Sequence, residues 1–164
     1  MSGVSLGAED IIEGAPIGRA REVNSIFEKR GMKAPYSDSV KPRKITLNNE
    51  RIFVRVHTDL NQARSWLMRS DEIEGLTPFE IKNKFALPDL PRYVSEVHVP
   101  VGTSLRVGRV AAQDGWGVGG GMQYELLDRL PESSFKNMMP LQNRLALENT
   151  DELYPGWNTM VRRW

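Results

Sequence analysis

The spacing of apolar and polar positions divides the chain into a helical beginning, a strand-rich middle and an end without a clear period. From about Ile17 to Arg30, Ala20, Val23 and Phe27 share a face and Ile26 lies beside it, the spacing of an amphipathic helix. Gly31 stands where a C-terminal glycine cap belongs. The following KAPYSDSVKPRK has two prolines among small polar residues, a linker composition. In KITLNNERIFVRVHT, two apolar runs flank Asn48-Asn49-Glu50 and predict a β-hairpin. Thr58 or Asp59 then caps a predicted short helix through Ala63, Trp66 and Leu67. Thr77-Pro78-Phe79-Glu80 is a capping box with proline at the first helical position. Pro88 and Pro91 end that helix near Phe85.

Period-two alternation takes over after the prolines. In YVSEVHVPVG, Tyr93, Ser95, Val97 and Val99 face one way, and Val94, Glu96 and His98 the other. LRVGRVAA alternates in the same manner, and MQYELLD is a third strand of this region. Strands, then short helices, then strands predict an α+β fold. It has a small, largely antiparallel β-sheet core with short helices, preceded by a helical N-terminal segment. Residues 1–43 are read as lead-in and linker, 44–150 as the functional domain and 151–164 as a C-terminal tail. Beyond Asp128 the pattern weakens: PESSFKNMMPLQ is a loop or an edge segment, and LYPGWNTMVRRW is an aromatic and basic tail.

Composition narrows the function. The 164 residues suffice for one domain with a real core, and no run approaches a membrane span. The N-terminus has neither the basic nor the apolar region of a signal peptide. A net charge of +1 gives no global argument for nucleic acid. Cysteine is absent and histidine occurs only as His57 and His98, so no thiolate chemistry and no metal site are expected.

The most unusual stretch is DGWGVGGGMQYELL, Asp114–Leu127, with five glycines between Gly115 and Gly121. Gly115-x-Gly117-x-x-Gly120 spells a dinucleotide-binding fingerprint, but that motif opens a helix, and here a strand follows. Two readings stand: a wide flexible β-connection, or a bare backbone that lets a ligand approach, with Gln123 projecting beside it.

The region 84–127 resembles the tuberculosis necrotizing toxin family, toxin domains at the C-termini of secreted or contact-dependent bacterial polymorphic toxins. The resemblance rests on Leu87-Pro88, Tyr93, Gly108-Arg109-Val110-Ala111, Gly120-Gly121 and Gln123-Tyr124. It implies an NAD(P)⁺ glycohydrolase, with ADP-ribosyl cyclase chemistry as a variant, that needs no cofactor beyond its NAD(P)⁺ substrate. The family's loop glutamine maps onto Gln123. ARSWLMRS stands where the family has its arginine and aromatic, making Arg64, Arg69 and Trp66 their loose equivalents. A cognate immunity protein and a larger delivery protein are the implied partners, and a target cell's cytoplasm the implied site of action.

Splitting the nicotinamide–ribose bond passes through an oxocarbenium-like state, which asks for positioning more than for a strong nucleophile. Arginine suits the diphosphate, and an amide suits ribose hydroxyls or the attacking water. The expected catalytic residues are Gln123, Arg64 and His57. The expected substrate-binding residues are Arg55, Trp66, Arg69, Tyr93, Trp116, Gly120 and Gly121. Trp66 is either core or stacking platform, and Arg55 and His57 occupy either a solvated or a cleft face. A competing expectation is an antibacterial ribonuclease using His57 and His98 as acid and base, with Arg55, Lys84 or Arg106 on phosphate. A third is a non-enzymatic module gripping a peptide or glycan.

Overall fold

The computed structural model describes residues 19–59 and 62–141. The tail at 151–164, the helix start proposed at Ile17 and the end of the domain near residue 150 lie outside them. The fold is α+β: two α-helices and two antiparallel sheets. Helix α1 runs Ala20–Lys29 and α2 runs Pro78–Phe85. The strands are β1 (Arg43–Thr46), β2 (Arg51–His57), β3 (Trp66–Leu67), β4 (Tyr93–Val99), β5 (Ser104–Arg109), β6 (Met122–Leu126) and β7 (Phe135–Pro140). One sheet has the order β1-β5-β6-β3 and the other β2-β4-β7.

The expected hairpin at Asn48-Asn49-Glu50 does not form. β1 pairs with β5 and β2 with β4, so the short connection carries the chain from one sheet to the other. The apolar runs on either side are strands, but burial against different partners decides their pairing. The helix expected through Ala63, Trp66 and Leu67 is also absent: Trp66–Leu67 form β3, paired with Tyr124 and Glu125 of β6. The next residue, Met68, bridges to Val54 of β2 and so ties the two sheets together. PESSFKNMMPLQ supplies the edge strand β7, which pairs with β4.

Beside a small cluster of Ala20, Val23, Phe27 and Tyr36 at α1, two larger apolar clusters form. Ile45, Leu47, Phe53, Val97, Leu105 and Tyr124 belong to the one between the sheets, where the Phe53 and Tyr124 rings lie 5.0 Å apart. The other gathers Val54, Val56, Ile73, Ile81, Phe85 and Val110 beneath α2. Strand β2 thus gives apolar residues to both clusters, while its polar Arg55 and His57 are buried beside them. Helix α2 starts as its sequence dictates: Thr77 Oγ1 accepts from Glu80 N–H at 3.2 Å, and Glu80 Oε1 accepts from Thr77 N–H at 2.9 Å. It stops at Ala86, which takes left-handed backbone angles.

The stretch with linker composition is packed. The Asn24 side chain donates to Tyr36 O at 2.8 Å and accepts from Tyr36 N–H at 2.9 Å. Tyr36 is 2% exposed, and its ring lies over Gly108, where any larger residue would collide with it. Its hydroxyl donates to Glu125 Oε1 at 2.9 Å, and Arg106 Nη1 donates to the same oxygen at 2.8 Å. Burial and the Glu125 charge hold the Tyr36 phenol far above its ordinary pKa, so it stays a donor. The connection between α1 and β1 is therefore fixed onto the face of β5 and β6.

Candidate functional site

Glycine determines the local shape of the loop between β5 and β6. A Cβ at Gly117 would meet the Asn83 backbone at 2.7 Å, and one at Gly121 would meet the Phe85 ring at 2.7 Å. The bare backbone therefore admits helix α2 rather than a ligand. Lys82 Nζ donates to Trp116 O at 2.8 Å, and Asn83 Oδ1 accepts from Val118 N–H at 3.0 Å. The loop is a packed strand–loop–strand connection, stapled to α2, and Gln123 follows it on β6 opposite Gly108.

A cavity of about 580 Å³ opens between this loop, β2, β3 and the connection after α1. That is within the range of small-molecule sites. Gln123, Arg55, His57, Trp66 and Trp116 all line it. Gln123 does not face water: it is 8% exposed, and its Nε2 donates to Pro35 O at 3.1 Å. Arg55 Nε donates to Gln62 O at 3.1 Å and Nη1 to Trp66 O at 2.9 Å. Burial, with the nearby charge of Arg64 adding to it, lowers the Arg55 pKa to about 10. Arg55 thus remains a cation at neutral pH, held at the cavity wall. Trp66 packs against Phe27 and Tyr36 with ring centroids 5.9 and 6.1 Å away, and it is both core and lining. Trp116 packs against the cluster under α2 and carries Lys33 Nζ 5.2 Å above its ring.

His57 is held by a relay. Its Nδ1 lies 2.7 Å from the Thr58 carbonyl, so Nδ1 carries the proton. Nε2 then accepts from the Ser95 hydroxyl at 2.8 Å, and Gln62 Nε2 donates to that hydroxyl oxygen at 3.0 Å. Burial pushes the imidazole pKa below its usual value, and Arg55 pushes it the same way. Both ring nitrogens are engaged by the protein, which makes His57 a framework group rather than a proton donor or acceptor for a ligand.

The other expected residues lie outside the lining. Arg64 is exposed and acts on the cavity only through its charge on Arg55. Arg69 is paired with Asp71, and its guanidinium pKa is raised by that carboxylate. Tyr93 stacks on His57 with ring centroids 5.9 Å apart and is not part of the lining. Gly120 is an exposed turn residue, and Gly121 packs on Phe85. Lining residues that the sequence did not single out include Lys33, Asp89 and Gln113. They come from the connection after α1, the turn after α2 and the glycine loop. Only the Leu87-Pro88 motif, adjacent to Asp89, offered a hint.

The two histidines do not share a site. On the β2–β4 ladder His57 pairs with Tyr93, while His98 pairs with Ile52, five residues along. That is about 17 Å of extended strand. His98 Nε2 lies instead 3.2 Å from Glu96 Oε1, and Lys84 and Arg106 are engaged with Glu72 and Glu125. Among the described residues no group of acidic, histidine or cysteine side chains has the arrangement of a metal site, and no helix is long and apolar enough to cross a membrane. No protein-family model, curated protein or solved structure matches the chain.

Proposed function

We propose that this cavity binds NAD(P)⁺ and hydrolyses its nicotinamide–ribose bond. The observation that carries the reading is the convergence of Gln123, Arg55, Trp66 and Trp116 on one cavity of about 580 Å³. Arg55 offers the diphosphate a buried cation, which stays protonated at neutral pH although burial and the like charge of Arg64 both lower its pKa to about 10. The indoles offer aromatic faces to the bases, and Gln123 offers an amide to the ribose or the incoming water. As the glycosidic bond breaks, its electron pair passes to the pyridinium nitrogen, and nicotinamide leaves neutral. Water oxygen bonds to the ribose carbon and releases its proton to solvent. Asp89, also in the lining, offers a carboxylate to the positive charge that would develop on the ribose.

On the same reading the chain is the toxic C-terminal part of a larger delivered protein that acts in a target cell's cytoplasm and is neutralised by a cognate immunity protein. The ribonuclease alternative loses its acid–base pair through the separation of His57 and His98. Incubation with NAD⁺ tests the proposal. The expected result is nicotinamide release by the wild type and a loss of about a hundredfold or more in Gln123→Ala. Folded wild-type protein that leaves NAD⁺ intact would refute it.

A further inference from the structure

Gln113 is the one uncharged polar lining residue from the glycine loop that the proposed chemistry leaves unused, and its setting repeats that of Gln123. Gln113 Nε2 donates to Ala34 O at 2.6 Å, and Gln123 Nε2 donates to Pro35 O at 3.1 Å. Consecutive carbonyls of the connection after α1 thus hold the two amides. A carbonyl oxygen can only accept, so each amide must turn its nitrogen toward that connection. Pro35 O also accepts from Ala111 N–H at 3.0 Å, which fixes the strip of backbone from both sides. Neither Gln113 Oε1 nor Gln123 Oε1 accepts a hydrogen bond from the described residues. Both side chains line the same cavity, so the capacity left to a ligand is two acceptor oxygens.

We infer that Gln113 is a specificity-determining residue that, with Gln123, receives the two hydroxyl donors of a ribose cis-diol. The inference rests on the NAD(P)⁺ reading and adds to it a residue, a polarity and the part of the substrate that is read. Two adjacent O–H groups match two acceptors whose own donors are committed elsewhere. A ligand presenting acceptors there, such as a carboxylate or phosphate, would face oxygen against oxygen. The diphosphate is therefore left to the Arg55 side of the cavity.

The test compares kcat/KM for NAD⁺ with kcat/KM for its analogue lacking the 2′-hydroxyl on the nicotinamide ribose, in the wild type and in Gln113→Met. Methionine keeps the length and removes the acceptor together with the donor to Ala34 O. Taking the ratio between substrates, and then between proteins, cancels the intrinsic reactivity of the analogue and any general loss of activity. The wild-type preference for NAD⁺ should fall about tenfold in Gln113→Met. Gln113→Leu likewise removes the acceptor and should show the same fall. It also carries the test if the methionine variant fails to fold. An unchanged preference in Gln113→Met or in Gln113→Leu overturns the inference while the NAD⁺ reading stands. A third substrate lacking the carboxamide closes the other route: if its discrimination, rather than that of the deoxy analogue, depends on Gln113, the diol assignment is wrong. Failure of the wild type to cleave NAD⁺ overturns both.

Discussion

Replacing Gly119 with alanine should be the most destabilising glycine substitution of its loop, because two separate penalties meet there. Its φ is +71°, a region that costs an L-residue about 1–2 kcal/mol. A Cβ would also stand 2.6 Å from Val110 O and 2.8 Å from Ala111 C, backbone atoms that cannot rotate away. Overpacking of that kind costs about 1–3 kcal/mol. The neighbours separate the two effects. Gly115, at φ +78°, has open space around a would-be Cβ and should show only the conformational cost, about 1–2 kcal/mol. Gly117 has no positive φ but faces the Asn83 backbone, and should show only the steric cost. Gly119→Ala is therefore expected to exceed both Gly115→Ala and Gly117→Ala, reaching about 2–5 kcal/mol. Urea unfolding monitored by circular dichroism reads these differences as midpoint shifts at constant slope. If Gly119→Ala is no worse than Gly115→Ala, the loop is not packed against Val110 and Ala111, and the account of the glycine run fails.

Tyr36→Phe removes the hydroxyl that Glu125 accepts, while Arg106 remains on the carboxylate; the expected loss is about 1–2 kcal/mol in the same unfolding assay, and no loss would show that the connection after α1 is not anchored there. His57 has a folded pKa below its unfolded value, so the unfolded chain binds the extra proton first. Stability is then highest above about pH 6.5 and falls as pH drops from there toward the folded pKa. Unfolding midpoints measured from pH 7.5 to 5 should decline more steeply in the wild type than in His57→Gln, and equal slopes would contradict the buried neutral imidazole.

The elements were legible where local chemistry is decisive. The amphipathic spacing of α1, the capping box of α2 and the alternation of β4, β5 and β6 each specify their own conformation, and the described structure bears them out. Pairing was less legible. The runs around Asn48-Asn49-Glu50 look like a hairpin, yet Ile45 lies opposite Leu105 and Phe53 opposite Val97, partners chosen by distant burial. Trp66 and Leu67 have a helical neighbourhood in sequence and become a strand because β6 offers them a free edge. In the candidate site, the glycine run and the resemblance singled out Gln123 and Trp116. Lys33 and Gln113 escaped notice because their place in the lining depends on the connection after α1 folding back onto β5 and β6, which its proline-rich composition does not announce.

The crossing of the chain between sheets has a consequence for assembly. Arg43 of β1 pairs with Val107 of β5, and Lys44 with Arg106, so the first strand finds its neighbour only after more than half the described chain has been made. Strand β2 likewise waits for β4, and β4 for β7. Such non-local pairing defers the favourable contacts until long loops have closed, and it places the domain among slow folders. The cavity is among the last features to exist, since Gln113 meets the Ala34 carbonyl across 79 residues and Gln123 the Pro35 carbonyl across 88. A chain still emerging during synthesis therefore has strands but no complete cavity, and anything that depends on the cavity waits until folding is nearly complete.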